Sequence, residues 1–300
     1  MADIKLFNIK GTVKEYQSGT VTLEKELQTV IENNMTTFFG VTFLASEYRT
    51  TDGGRMDSIG IDENHCPVIF EYKRSMKDNV INQGLFYLNW LLDHKDSFKV
   101  LVIDKLGLKE SENIDWTMPR VICVAGDFTK YDESAIKQMN RNISLIRYKK
   151  FGDDLLMFEQ INENIAAAIL DSDTMTAPTA KQQKDKTFDE QYVAAKKEIK
   201  TLYDDLKNYI LAQGDDVSEN VLKIYTAFKK IKNFACVEIR SATIQLYLRL
   251  DPTTIQYEDG FSRDVSKIGH WGTGDVEVVI HNKADFEKAK PLIDRAYNEN

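Results

Sequence analysis

One segment, residues 54–74, constrains the fold of this chain more than any other. It reads GRMDSIGIDENHCPVIFEYKR, two short apolar runs on either side of a polar turn. Residues 68–70 are apolar without alternation, which is typical of a strand that is buried on both faces in the centre of a sheet. The sequence therefore predicts an antiparallel hairpin whose second strand lies inside a larger sheet.

Charged side chains lie where the two strands of this hairpin end. Successive side chains of a strand alternate between faces, so Glu71 and Lys73 point the same way. A turn near Asn64 is expected to place Asp57 opposite Tyr72, and strand twist or a bulge then brings Asp57 to Glu71. Unpaired charges are costly in a buried strand, which favours a functional site. The alternative is a solvated strand edge.

These side chains suit a divalent cation beside a phosphodiester. Oxygen ligands from Asp57, Glu71 and the backbone carbonyl of Tyr72 match Mg²⁺ or Mn²⁺, which leave positions for water and substrate phosphate. Such a cation lowers the pKa of a bound water and neutralises charge on the phosphate oxygens. Lys73 is expected to orient or deprotonate the attacking water, or to stabilise the transition-state charge.

Three motifs follow one another in the first half of the chain: GRMD at residues 54–57, EYK at residues 71–73, and Q-x-x-x-Y from Gln83 to Tyr87. Their order and spacing resemble the PD-(D/E)XK nuclease superfamily, within it the NucS-like and RecB-like endonuclease domains, over about residues 15–160. The ordered set is more specific than E-x-K alone. The resemblance implies an α/β fold, a restriction-endonuclease-like mixed sheet flanked by helices, and metal-dependent hydrolysis of DNA.

The resemblance also implies roles for residues outside the hairpin. The superfamily carries a carboxylate on its first helix, where this chain offers Glu24 and Glu26. Glu24 lies closer to the centre of the apolar stripe of that helix, so it is preferred to assist the metal or water, with Glu26 as the alternative. Gln83 and Tyr87 share a helix face and are expected to border the site. Ordinary core packing is the other interpretation of Tyr87.

Basic side chains beside these motifs are candidate contacts to DNA. Arg55 belongs to the first motif and Arg74 follows the second. The net charge of the chain is −8, which differs from that of strong nonspecific DNA binders, so binding would depend on a local basic rim. The acidic balance favours a rival function, a non-catalytic nucleic-acid- or protein-binding module on a nuclease fold. The intact set of predicted catalytic residues favours a working endonuclease.

Composition along the chain predicts two modules. With 300 residues the chain has room for about two domains. Residues 169–187 carry few apolar side chains and are predicted to link a nuclease-like domain at residues 1–168 to a smaller α+β accessory domain at residues 188–300. The second module resembles an uncharacterised domain that follows such nuclease domains in bacterial proteins, some of which are labelled predicted transport proteins.

Hydrophobic periodicity predicts the remaining elements. In the first module, helices are expected near residues 79–92 and 134–140, and strands near residues 39–48, 98–103, 120–125, 143–148 and 155–158. In the second module, helices are expected near residues 188–211, 221–231 and 285–297, and strands near residues 235–239, 243–250 and 276–280.

Other features of the sequence concern disulfides, zinc sites, location and partners. The three cysteines have no C-x-x-C spacing and the four histidines form no ligand pair, so neither a disulfide nor a zinc site is expected. No apolar run is long enough to span a bilayer and no signal-like segment is visible, so a cytoplasmic location without membrane is predicted. DNA is the expected partner, and a homodimer is left open.

A glycine-rich segment, GHWGTGD at residues 269–275, is the remaining motif. Its backbone N–H groups could cradle an anion. It lacks the Lys and Ser/Thr of a nucleotide-binding loop and precedes a strand, not a helix. A turn that only redirects the chain is therefore the preferred interpretation.

Overall fold

The computed structural model describes residues 4–20, 24–73, 80–165 and 186–300. The chain forms two compact units, one made mainly of residues 1–167 and the other mainly of residues 168–300. Most of the predicted linker lies outside the described residues, so its boundaries stay a prediction. No helix in the described ranges is long and apolar enough to cross a membrane.

The N-terminal unit alternates strands and helices along the chain. In chain order the elements are β1 (Leu6–Asn8), β2 (Lys14–Tyr16), β3 (Ser18–Gly19), α1 (Glu24–Phe39), β4 (Val41–Arg49), β5 (Arg55–Asp62), β6 (Pro67–Lys73), α2 (Val80–Asp93), α3 (Lys95–Leu106), α4 (Leu108–Glu112), β7 (Arg120–Ala125), α5 (Lys130–Ile136), β8 (Asn142–Phe151) and β9 (Leu155–Asn164).

A seven-stranded mixed sheet forms the centre of this unit. Its order is β3-β8-β7-β6-β5-β4, with β9 also paired to β8. The central strands β6, β7 and β8 are parallel, and the other pairs are antiparallel. Phe39 of α1 packs on Phe70, whereas Gly84 of α2 packs so closely on Val121 that a Cβ would collide with it. Because Val121 pairs with Ile69, the two helices cover opposite faces of the sheet. The predicted α/β class is confirmed.

The register of the β5–β6 hairpin differs from the prediction by one residue. Ser58 pairs with Phe70, and Ile61 pairs with Pro67. The turn closes over three residues, with His65 in the left-handed region at φ 60°, the geometry that three-residue hairpin loops use. In this register Asp57 lies opposite Glu71 and not opposite Tyr72.

Residues 98–103, predicted as a strand, lie in the helix α3. Phe98 and Val102, four residues apart, are buried, whereas Val100 is 64% exposed and Ile103 is 37% exposed. This spacing gives one buried helical face. The prediction was wrong because a short run of β-branched residues does not distinguish a strand from a helix.

The helix predicted near residues 134–140 begins and ends earlier, as α5. Thr129 caps it by accepting a hydrogen bond from the Asp132 amide, while the Asp132 carboxylate accepts one from the Thr129 amide. This reciprocal capping box fixes the start of the helix.

The C-terminal unit is an antiparallel sheet packed against helices, so the predicted α+β class is confirmed. Its elements are α6 (Phe188–Ala194), α7 (Lys197–Leu211), β10 (Ser218–Val221), β11 (Thr226–Lys229), β12 (Asn233–Ile239), β13 (Ile244–Leu248), a 3₁₀ turn (Pro252–Thr254), β14 (Ser262–Asp264), β15 (Val276–Ile280) and α8 (Lys283–Glu299). The strand order is β10-β11-β12-β13-β15-β14. The helices α7 and α8 bury one sheet face, for example through Leu206 and Ile293 against Val237 and Leu246.

Two predictions for this unit need correction. The predicted helix at residues 221–231 is the hairpin of β10 and β11, and all four residues of β11 are buried, as in a strand covered on both faces. The predicted helix at residues 188–211 is divided into α6 and α7, because Ala195 and Lys196 are extended, with ψ near 150°.

Candidate active site

Asp57 and Glu71 meet at the open end of the β5–β6 hairpin. The Asp57 amide donates a hydrogen bond to Glu71 Oε1 at 3.3 Å, and the Tyr72 amide donates to Asp57 Oδ2 at 3.0 Å. Glu71 is 2% exposed, and Asp57 is half-buried. Residues directly opposite each other in an antiparallel pair point to the same face. The observed register therefore brings the two predicted carboxylates together without a bulge.

The local environment disfavours two negative charges. Burial, together with the charge of Asp57, raises the pKa of Glu71 to about 9. Burial also raises the pKa of Asp57, although the Tyr72 amide and Lys73 act in the opposite direction. Two carboxylates that share a buried site cannot both ionise easily. Without a cation the pair therefore keeps a proton at neutral pH.

Lys73 and Glu24 complete this cluster. Lys73 Nζ lies 3.6 Å from Glu24 Oε1, and the Glu24 side chain is 40% exposed. Glu26 instead lies 3.7 Å from Nζ of Lys150 on β8. The structure thus places Glu24, the preferred first-helix carboxylate, beside the hairpin, and it places Glu26 beside a different strand.

Sequence reasoning missed Gln28, which supports the hairpin from α1. Gln28 is 4% exposed, and its Nε2 donates to the backbone carbonyl of Asp57 at 2.8 Å and to Glu32 Oε1 at 2.8 Å. Ser58 Oγ donates to Glu32 Oε1 at 2.6 Å, and the Tyr72 hydroxyl donates to Ser58 Oγ at 3.1 Å. The available signal was spacing, since Gln28 follows the predicted first-helix carboxylate by one helical turn.

The first and third motifs meet through Tyr87. Its hydroxyl accepts a hydrogen bond from the Arg55 amide at 3.2 Å, and Tyr87 is 8% exposed. A Cβ at Gly54 would come within 2.7 Å of both Tyr87 Cε1 and Thr50 Oγ1, so this close contact requires glycine. The Arg55 guanidinium is largely exposed and lies 2.7 Å from Glu47 Oε2.

The other predicted substrate contacts are only partly described. Gln83 is exposed on α2, one turn before Tyr87. Arg74 lies outside the described residues. Tyr72, predicted to offer its carbonyl, has a fully buried ring, while its backbone lies between the two charged residues of β6.

The donor chemistry of the cluster fits a hard divalent cation. Within residues 4–20, 24–73, 80–165 and 186–300, no group of three or more His, Cys, Asp or Glu side chains is arranged for a metal. Asp57 and Glu71 each use one carboxylate oxygen in the hydrogen bonds above, which leaves the second oxygen of each for another ligand. Two carboxylates suffice for Mg²⁺, because waters and phosphate oxygens supply its other ligands.

Comparison with known proteins gives three findings. Residues 188–300 match a family described as a domain of unknown function, DUF5655. An uncharacterized protein of Haemophilus influenzae is 29% identical over 303 residues, which cover 99% of this chain and 100% of that protein. The crystal structure of a repair endonuclease from Pyrococcus abyssi matches 43% of this chain and 49% of that chain, with 21% identity and a TM-score of 0.29. A structural likeness at this TM-score does not indicate a function for this chain.

Proposed function

We propose that the N-terminal unit is a metal-dependent endonuclease that hydrolyses DNA phosphodiester bonds. The pairing of Asp57 with Glu71 across two strands, beside Lys73, carries this proposal. The cluster combines oxygen ligands for a cation with an ammonium group for a phosphate. The resemblance of the three motifs to PD-(D/E)XK nucleases supports the same reaction.

Each residue has a distinct role in this proposal. Asp57, Glu71 and the Tyr72 carbonyl would hold Mg²⁺ or Mn²⁺, which would neutralise phosphate charge and acidify a water. The Lys73 ammonium stabilises the negative charge that develops on the phosphate oxygens. Glu24, 3.6 Å from Lys73 Nζ, orients that ammonium and accepts a proton from the attacking water.

The proposed DNA contacts lie around this cluster. Arg55 is exposed next to Asp57, so it can reach a neighbouring phosphate. Gln83 is exposed on α2, and Arg74 follows β6 in the sequence. Since the net charge of the chain is −8, these few local contacts, rather than a general attraction, hold the DNA.

The rival function is a nucleic-acid- or protein-binding module without turnover. The net negative charge favours it, and so does the proton that Glu71 keeps in the absence of a cation. A direct assay separates the two functions, because only an endonuclease gives shorter DNA products.

The test is incubation of the purified full-length chain with end-labelled single-stranded, duplex and branched DNA, in Mg²⁺, Mn²⁺ or EDTA. We expect cleavage with either cation, none in EDTA, and none for Asp57→Asn. Asp153→Asn is the matched control, because the Asp153 side chain is 99% exposed and lies outside the cluster. Intact DNA with both cations, or equal cleavage by Asp57→Asn, would overturn the proposal.

Calorimetric titration with Mg²⁺ or Mn²⁺ tests the ligands separately. Binding should be lost in Asp57→Asn and unchanged in Asp153→Asn, because only the first carboxylate faces Glu71. Binding that survives the Asp57 substitution would show that the cation is held elsewhere.

A further inference from the structure

The C-terminal sheet carries two adjoining clefts that the proposed nuclease reaction does not use. One has a volume of about 310 Å³, and its lining includes Lys186, Gln191 and Trp271. The other has a volume of about 300 Å³, and its lining includes Gln245. Arg240 lines both clefts. A volume near 300 Å³ lies within the range of small-ligand sites.

Trp271 forms a fixed aromatic wall of the first cleft. The preceding His270 stacks on Tyr247 with 4.3 Å between the ring centroids and an angle of 6°. The following Gly272 has φ 80°, and a Cβ there would come within 2.6 Å of Cys236 Cβ. The glycine-rich turn is therefore packed against the sheet on both sides of Trp271. Trp271 is 39% exposed, so one part of it can stack on a ligand.

Arg240 offers a cation between the two clefts. Its Nε donates to Glu238 Oε1 at 3.3 Å, and its side chain is 56% exposed. In the described parts of the chain, its terminal Nη atoms make no hydrogen bond. The second arginine of the clefts, Arg263, is instead paired with the buried Glu277. The planar fork of a guanidinium matches two oxygens of a phosphate, so Arg240 is the group suited to an anion.

Two glutamines provide buried acceptors. Gln191 Nε2 donates to the carbonyls of Lys186 at 2.8 Å and Ile224 at 2.9 Å. These bonds orient the amide and leave Oε1 buried without a partner in the described chain. Gln245 is 5% exposed, and its Oε1 also has no partner in the described chain. A buried acceptor without a donor is unfavourable, so a ligand with N–H groups would gain by pairing with it after a small side-chain movement.

We propose that these clefts bind a nucleotide, with its base stacked on Trp271 and its phosphate on Arg240. The N–H groups of the base donate to Gln191, which lines the same cleft as Trp271, and Lys186 adds a second positive charge at the phosphate. An aromatic platform beside basic groups is the combination that sequence-tolerant single-strand binders use. The same chemistry is offered by a free nucleotide and by one nucleotide of a single strand. The proposal does not depend on the nuclease reaction.

The test uses the full-length chain in EDTA, so that the N-terminal site cannot cleave. The probes are deoxyadenosine monophosphate, followed by tryptophan fluorescence, and a labelled single-stranded octamer of deoxyadenylate, followed by anisotropy. Trp271→Ala and Arg240→Ala should each weaken binding about tenfold or more, because one stacked base or one phosphate fork is lost. Trp271→Phe keeps an aromatic ring and should stay within about threefold of the wild type.

Arg295→Ala is the matched control, since Arg295 lies on α8, pairs with Glu299 and lines neither cleft. Similar affinities for the two probes would identify a free-nucleotide site, and a much tighter octamer would identify a single-strand site. Absence of binding at millimolar concentration would overturn the proposal, as would wild-type affinity in both Trp271→Ala and Arg240→Ala. Neither result would bear on DNA cleavage, which depends on Asp57.

Discussion

Two buried glutamates, one in each unit, are held in opposite ways. Glu71 on β6 and Glu277 on β15 are both 2% exposed. Glu277 faces Arg263 on the neighbouring strand and forms an ion pair with it. Glu71 faces another carboxylate, that of Asp57, and the pKa of Glu71 is raised to about 9, by burial first and then by this neighbour.

Glu277 therefore has its counter-charge on a neighbouring strand, whereas Glu71 faces a second acid. A buried acid beside a basic residue already has its counter-charge, so it needs nothing from outside the chain. A buried acid beside a second acid needs a proton or an external cation. We therefore expect a metal ion to bind at the pair of Asp57 and Glu71.

The largest expected effect is on cleavage. Lys73→Met should reduce the rate about 100-fold or more while DNA affinity changes only a few-fold, because this ammonium acts mainly in the transition state. The measurement is single-turnover cleavage together with binding in EDTA. Lys150→Met is the matched control, since Lys150 pairs with Glu26 instead of Glu24. Cleavage near the wild-type rate in Lys73→Met would mean that Lys73 lies at the edge of the site and takes no part in the reaction.

The second effect concerns pH. Without metal, the free energy of unfolding of the hairpin should fall by about 2 to 3 kcal/mol between pH 6 and pH 8. The pKa of Glu71 rises from 4.5 to about 9 on folding, so the folded state keeps a proton that the unfolded state loses. This stabilisation is complete below about pH 4.5 and is lost as the pH rises through about 9.

Hydrogen exchange of peptides that cover β6, corrected for the intrinsic rate at each pH, measures the slope of the free energy of unfolding against pH. Glu71→Gln should flatten it, and Glu277→Gln should leave it unchanged. Saturating Mg²⁺ should also flatten it in the wild type, because the cation replaces the proton. An equally steep slope in Glu71→Gln would mean that another group titrates.

The third effect compares the two glutamates directly. At pH 8 in EDTA, Glu71→Gln should stabilise β6 by about 1 to 2 kcal/mol, because the wild-type carboxylate must take up a proton on folding at that pH and the amide need not. Glu277→Gln should destabilise β15 by about 1 to 2 kcal/mol, because Arg263 loses its charged partner. Local opening free energies from hydrogen exchange give both values. Changes of the same sign would contradict the distinction between the two acids.

The smallest effect is expected for Tyr87→Phe. This change removes the acceptor of the Arg55 amide, which lies 3.2 Å from the Tyr87 hydroxyl, so a loss of about 1 kcal/mol is expected. Thermal unfolding and cleavage rates measure it, and cleavage should fall only a few-fold. A loss as large as that of Lys73→Met would give Tyr87 a direct part in the reaction.

The sequence predicted the elements that carry strong local signals. The interior strand β6 follows from its uninterrupted apolar residues, and β7 was found in the same way. The strand β15 was predicted from its alternating apolar pattern. The hairpin register was wrong by one residue because it depends on the backbone of His65, whose positive φ leaves little trace in the sequence.

Other details depend on tertiary packing. Residues 98–103 form a helix because Phe98 and Val102 are the pair that is buried, and local propensity does not contain this information. Gln28 was missed for a related reason. An amide on a helix predicts a solvated position, whereas here it is turned inward by a backbone carbonyl of β5. The approach of Asp57 to Glu71 was predictable because the two residues lie on adjacent strands of one short hairpin.

The open end of the hairpin has one more consequence. Backbone pairing between β5 and β6 extends from Ile61 to Ser58 of β5. At the open end, past Ser58, the amides of Asp57 and Tyr72 donate to carboxylate oxygens. An ion or proton that binds to those oxygens changes the electron density around the two N–H groups. Their nitrogen-15 chemical shifts are therefore an intrinsic reporter of occupancy, readable by nuclear magnetic resonance without any substrate.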